Sequence, residues 1–492
     1  MKYGAVAAGH PKTAEVAMEV LRAGGNATDA LIAAYVASFI SEPCMGSPGG
    51  GAFALLKNAG RQPVLLDFFC QTPREKKPGE EYDFRAYTVE FGEEGEVFYT
   101  GRGSVAVPGA IAGLFAMHNH SGTIPIKELF APGVELLRTG VPLNGFQRYD
   151  IGLLEGIVCH STEGKKIFCN SDHKLKEEGE IICLPALGDY MEILGFEGPR
   201  EFYEGFTARQ QQYYYENEGG SICAEDLKNY RVMIGPPLNI PLGDRAVFCN
   251  PAPALGGVVM GAALSKLWES QHVPEPGSAE YFTLFYQAFS FARELQINPG
   301  KLSAWLHHQL SRKWGSTSHI SIVDKKGNAA ALTTTIGEGN GFYEPETQIH
   351  MNNMLGESAL LPGGYHSWYP DVRLSSMMNP VMSIGPSGET LVMGSGGAGR
   401  IPYVLAAVIW NLFAANMNLR EAVIRPRLHF DGNTFHIEKA ENLPLLDTLD
   451  FPLKLWKNNS LFFGGVHAVY SSAPGKAEAI GDFRREGVNR VE

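Results

Sequence analysis

The chain has 492 residues and a formal net charge of −12, from 41 Lys plus Arg against 53 Asp plus Glu. A hydrophobic fraction of 44% against 19% charged is enough for a sizeable core and excludes wholesale disorder. An acidic chain repels phosphate backbones, which disfavours a nucleic-acid binder, and the densest basic run (Lys165, Lys166, Lys174, Lys176) meets Glu177, Glu178 and Glu180 at once.

The opening reads as helical: Pro11 suits a first turn, and Ala14, Ala17 and Leu21 recur at helix spacing until Gly24-Gly25. Asn26 can cap a second helix with Asp29 in its first turn. The most apolar stretches, 27–40 and 401–413, fall short of the roughly 18 to 20 residues that span a bilayer, so both are expected as buried helices. Ser47-Pro48-Gly49-Gly50-Gly51 is a tight turn before the strand-like 52–56. Residues 70–105, charged and Gly-rich, suggest an exposed crossing segment; a helix starts after Pro108-Gly109, and 160–182 reads as a surface excursion. Helices return near 203–216 and 279–295. From Thr317 the texture changes. Residues 318–323 alternate as a strand, 324–328 form a hairpin turn, and 329–336 form a second strand. Further strands are expected at 380–384 and 390–393, before the 401–413 helix. Helices, then hairpins, then a helix and more strands with short connections indicate a layered α/β or α+β fold.

Seven cysteines without a Cys-x-x-Cys pair give neither a disulfide scaffold nor a zinc site. His307-His308 and His319 are isolated and read as core or surface residues; no metal or cofactor is called for. The N-terminus shows no apolar signal core, so a soluble cytoplasmic protein is the expectation.

Gly394-Ser395-Gly396-Gly397-Ala398-Gly399 fits Gly-x-Gly-x-x-Gly between a strand and a helix. It lacks a following βαβ unit, and the acidic residue at the right distance, Glu421, sits in a helix-like run. What survives is the physical content: small residues at a helix N-terminus let backbone N–H groups approach an anion, and an oxyanion serves as well as a phosphate. Gly-x-Ser-x-Gly is absent, against a hydrolase elbow. Thr317 heads a strand directly after Trp314-Gly315-Ser316. Most threonines there are structural; this one becomes a nucleophile if cleavage of the Ser316–Thr317 bond frees its amine as the adjacent base.

The chain resembles the γ-glutamyltranspeptidase (glutathione hydrolase) family nearly end to end. The resemblance rests on His10-Pro11, Asn26-Ala27-Thr28-Asp29-Ala30, Gly49-Gly50-Gly51, Pro108-Gly109 with Ala112-Gly113, Glu225-Asp226-Leu227, Gly256-Gly257, the block from Thr317 to Asn328, Leu374-Ser375-Ser376-Met377, the 394–400 loop and Pro426-Arg427. It implies an N-terminal-nucleophile hydrolase: an α+β, four-layer αββα sandwich, made as one chain and self-cleaved into 1–316 and 317–492. The pieces would stay associated, in a possible homo-oligomer. By the same resemblance Thr317 attacks a small γ-glutamyl amide and forms an acyl-enzyme, and Thr335 supports it. Gly397 and Ala398 would supply the oxyanion amides, and Ser375 and Ser376 would lie near the substrate carboxylate. Other positions depart. The family's carboxylate-binding arginine falls near Pro78, leaving Arg74, Arg85 or Arg102 as substitutes; its asparagine past the second threonine is Gly337; its glutamine before the acidic pair is Met354; its amine-holding aspartate is Glu357. The chemistry is expected to be kept while substrate choice changes. The alternatives are an acylase for another acyl group, resembling the cephalosporin-acylase relatives, and an unprocessed scaffold without activity.

Overall fold

The structure is a computed structural model that describes residues 1–90, 95–270, 272–297, 316–361, 363–438 and 449–492. Its central strands are buried on both faces, and their period-two geometry divides the core in two. Val6 and Ala8, Ala52 and Ala54, and Ile320 and Ile322 face one apolar cluster. Ala5 and Ala7, Phe53 and Leu55, and Val323 face the other. These strands belong to a seven-stranded sheet in the order Val488–Val491, Gly4–Ala8, Ser318–Asp324, Ala329–Thr335, Gly51–Lys57, Val64–Phe68, Met233–Gly235. Every neighbouring pair in it is antiparallel.

A six-stranded sheet stacks on this one in the order Lys476–Ile480, Gly465–Ala473, Thr390–Gly396, Val381–Ile384, Arg245–Cys249, Leu238–Leu242. Helices Pro11–Arg22, Ala27–Ser41 and Ala110–Ser121 cover the outer face of the first sheet. Gly256–Trp268 and Ile401–Phe413 cover the second, and Ala279–Ile297 packs on Gly256–Trp268. The layers are therefore helix, sheet, sheet, helix, the expected αββα sandwich. Both sheets take strands from either side of residue 316, so the two segments 1–316 and 317–492 build one unit.

Local chemistry explains the helix starts. His10 caps the first helix, accepting the Lys12 N–H at 3.1 Å, and Asn26 with Asp29 makes a reciprocal capping box on the second. Ala27–Ser41 is buried throughout, and Ile401–Phe413 nearly so, as their uniform hydrophobicity requires. No helix among the described residues is long and apolar enough to cross a membrane.

Two expectations need correction. The 70–105 segment is not merely a crossing: Arg85–Glu90 and Gly95–Thr100 pair as an antiparallel hairpin. The opening is a strand before it is a helix, since Gly4–Ala8 lies between Val488–Val491 and Ser318–Asp324. His307, His308, Trp314 and Gly315 lie outside the described residues.

Candidate active site

Thr317 immediately precedes the strand Ser318–Asp324 and is 4% exposed. Pairing of Ser318 with Thr334 brings the Ser316–Thr317 peptide beside the end of the neighbouring strand Ala329–Thr335. The Thr335 hydroxyl donates to the Ser316 carbonyl and accepts the Gly337 N–H at 2.9 Å. The next carbonyl, that of Thr317, accepts from Arg485 Nη1 at 2.8 Å. The Ser318 hydroxyl donates to Glu42 Oε1 at 2.5 Å. The carbonyls of Ser316 and Thr317 are thus both fixed by side chains from elsewhere in the fold.

The second sheet delivers the glycine loop. A Cβ on Gly396 would lie 2.2 Å from the Thr317 carbonyl oxygen, so only glycine allows this approach. Gly397 (φ 115°) and Ala398 (φ 46°) both take left-handed backbone before Ile401–Phe413 begins. For alanine that conformation costs about 1–2 kcal/mol, so the angles do permit Ala398 in place of glycine. Among the described residues no acceptor takes the N–H of Gly397 or Ala398. Consecutive backbone donors without an acceptor, just ahead of the helix Ile401–Phe413, can receive an anion.

Gly337 (φ 66°), whose N–H bonds the Thr335 hydroxyl, meets Glu357. A Cβ on Gly337 would lie 2.0 Å from Glu357 Oε1 and 2.2 Å from Asn353 Oδ1. The longer carboxylate therefore fills the space that a side chain at 337 would need. Asn353 donates to the Tyr99 carbonyl at 3.1 Å, and Tyr99 packs against Phe84 (centroids 4.5 Å) and Tyr365 (4.4 Å). Burial raises the Tyr365 hydroxyl, with Glu357 among the nearby charges that add to the shift. The Glu357 side of the site thus has an aromatic wall.

Ser376 is bound to the start of the helix Gly256–Trp268. Ser376 accepts the Met378 N–H at 3.1 Å through its hydroxyl and the Leu255 and Gly256 N–H groups through its carbonyl. No hydrogen bond joins Ser375 or Ser376 to Thr317 or Thr335 among the described residues. Each candidate arginine already holds a carboxylate: Arg74 with Asp371 (3.6 Å), Arg85 with Asp83 (2.7 Å), Arg102 with Glu218 and Glu344 (2.8 Å each). His319 is a core residue between the Thr333 and Ser321 hydroxyls, at 2.8 and 2.9 Å.

A group of acidic residues around Thr317 escaped the sequence reading. Burial pushes the Glu42 carboxyl up to about 7, Glu338 up to about 8 and Asp150 up to about 6. Arg485 faces Asp150, Asp482, Glu42 and Glu338, and its own burial lowers its pKa. Only Glu338 carried a signal, as an acidic residue between glycines just past Thr335. Glu42 and Arg485 come from opposite ends of the chain.

Two stacked antiparallel sheets between helical layers, with a threonine at the head of a central strand, define the N-terminal-nucleophile hydrolase class. Within that class the chain belongs to the γ-glutamyltranspeptidase family, whose sequence model matches residues 13–296 and 293–491. It is a γ-glutamyltranspeptidase-like amidohydrolase. Among its relatives is the glutathione hydrolase proenzyme of Bacillus subtilis (strain 168), 26% identical over 540 residues, covering 99% of this chain and 91% of that protein. Another is the acylase ACY 1 proenzyme of Pseudomonas sp. (strain SE83), 25% identical over 477 residues, covering 89% of this chain and 84% of that one. The fold is similar to the crystal structure of cephalosporin acylase from Bacillus halodurans, with a TM-score of 0.84 at 20% identity, covering 99% of this chain and 96% of that chain.

Proposed function

We propose that the chain cuts itself between Ser316 and Thr317, and that the freed Thr317 is the nucleophile of an amide hydrolase acting on a γ-glutamyl or related acyl group. The observation that carries this is the grip on the Ser316–Thr317 peptide: Thr335 on one carbonyl, Arg485 on the next, and the Gly396 loop against the second. After cleavage the Thr317 amine takes the hydroxyl proton, and Thr317 Oγ attacks the substrate carbonyl. The N–H groups of Gly397 and Ala398 hold the oxyanion. The amine leaves with the proton, and water or a second amine releases the acyl group. Thr335 orients Thr317, and Glu357 holds a cationic amine of the acyl group.

A second reading, an acylase for a group without an α-carboxylate, is favoured by one observation. Arg74, Arg85 and Arg102 are each committed to a carboxylate of the protein. A carboxylate without a partner binds poorly in a buried site. Mass spectrometry of the purified protein tests the cleavage, and a panel of γ-glutamyl and non-glutamyl anilides tests the substrate. Thr317→Ala is expected to remain uncut and to lose hydrolysis. Cleavage elsewhere, or full activity in that variant, refutes the nucleophile. One uncut band with no turnover in the unaltered chain instead favours the inactive scaffold.

A further inference from the structure

Self-cleavage requires more than a hydroxyl beside a peptide bond; the carbonyl must be held still for attack. Thr335 holds the oxygen of that carbonyl. The rest of Ser316 is held by a residue to which nothing above gives a role. Glu338, 1% exposed, receives the Ser316 N–H on Oε1 at 3.2 Å and the Ser316 hydroxyl on Oε2 at 2.8 Å. Its own backbone is pinned, because the Glu338 N–H donates to Asn353 Oδ1 at 2.9 Å. Left-handed Gly337 (φ 66°) and Gly339 (φ 81°) flank it, so the turn that carries Thr335 also aims the Glu338 carboxyl. Ser316 is thereby held at its nitrogen, its side chain and its carbonyl from one short stretch of chain.

We propose that Glu338 is a positioning residue for self-cleavage, clamping the residue on the acyl side of the scissile bond. This rests on cleavage before Thr317. Thr317 Oγ bonds to the Ser316 carbonyl carbon, the bond from that carbon to the Thr317 nitrogen breaks, and the hydroxyl proton ends on the departing amine. Water then splits the ester, leaving a Ser316 carboxylate, one proton released to solvent, and the Thr317 hydroxyl restored. Glu338 exchanges no atom in these steps. It fixes the angle of approach by denying Ser316 rotation.

The test measures the rate of cleavage in freshly purified precursor by denaturing gel and intact mass. Four chains are compared: unaltered, Glu338→Gln, Ser316→Ala, and the double variant. Glu338→Gln keeps the shape but replaces one acceptor with a donor; assayed at about pH 9, above the carboxyl's value of about 8, slowing of about 10- to 100-fold is expected, as for the loss of a hydrogen bond to a charged partner. Ser316→Ala is expected to slow cleavage less, and the double variant no more than Glu338→Gln alone, because both remove the same contact. That coupling is what a merely structural role would not produce. Singles that multiply in the double variant, or Glu338→Gln cutting at the unaltered rate, overturn the clamp. If Glu338→Gln fails to fold, Ser316→Ala decides alone, and an unaltered rate there also overturns it. Failure of the unaltered chain to cut between 316 and 317 would refute the cleavage itself, a separate outcome.

Discussion

Gly337 and Glu357 exclude each other's side chains: a Cβ on the glycine would sit 2.0 Å from the carboxylate oxygen. Where the resemblance leads one to expect an asparagine and a shorter aspartate, this chain has deleted one side chain and lengthened the other. Gly337→Asn alone is expected to displace Glu357 and cut kcat/KM by about 10-fold or more, an overpacking effect of roughly 1–3 kcal/mol. Adding Glu357→Asp should restore part of the loss. A double variant worse than the product of the singles would show that the two positions do not compensate.

Thr335→Ala removes the only side-chain donor described on the Ser316 carbonyl. Cleavage of the precursor should slow by about 10² to 10³, the usual cost of one oxyanion donor. Thr335→Ser, which keeps the hydroxyl, should fall between. Equal rates in both variants would exclude the hydroxyl as the operative group.

The glycine loop is expected to act through its backbone. Ala398→Gly keeps the N–H and relieves left-handed strain at φ 46°, so steady-state activity should stay within about threefold. Gly397→Ala puts a Cβ on a residue at φ 115°, 3.0 Å from Gly464 Cα, and should lower kcat by about 10² while substrate still binds. Comparing kcat and KM for the two variants checks this; strong loss in Ala398→Gly would contradict it.

Acid should stabilise the precursor around its active site. Glu42 and Glu338 have folded pKa values of about 7 and about 8, above the ordinary 4.5 of an unfolded glutamate. The folded state therefore holds protons that the unfolded state has lost, and this contribution, full below pH 4.5, disappears as pH rises through 7 to 8. Thermal midpoints of the uncut Thr317→Ala chain should fall between pH 5 and pH 8. Glu42→Gln in that background should flatten the slope, and an unchanged slope would show that Glu42 is ionised throughout.

Recognition of an α-carboxylate is measurable directly. With Arg74, Arg85 and Arg102 occupied, the ratio of kcat/KM for a γ-glutamyl amide to that for its des-carboxy counterpart should be well below the roughly 10² that a paired carboxylate gives. A ratio above 10² would mean that one of these arginines changes partner when substrate binds.

Much of this site could be read from the chain because its signals are local. The Asp324-Lys325-Lys326-Gly327-Asn328 turn fixes the hairpin, and with it the placing of Thr317 near Thr335. The 394–400 loop declared itself by composition, between a strand and a helix. Gly4–Ala8 did not, because a strand buried on both faces shows no alternation and alanine carries no strand preference. Glu42 and Arg485 were invisible for another reason. Glu42, just past Ala27–Ser41, meets Ser318, and Arg485, just before Val488–Val491, meets Thr317, and no spacing along the chain encodes those contacts. The ion pairs of Arg74, Arg85 and Arg102 were invisible for the converse reason: sequence shows where a cation is, not which anion neutralises it.

The strand Ser318–Asp324 lies between Gly4–Ala8 and Ala329–Thr335, and a cut just before it leaves every pairing in the sheet intact. The cut does remove the tether that brings the two halves together. The intact chain closes that sheet as one molecule, whereas separated pieces must first find each other, at a rate set by their concentration. Maturation therefore makes folding a one-way event: the mature protein should unfold irreversibly on heating at dilution, with its lifetime governed by the unfolding barrier, while the uncut Thr317→Ala chain can return.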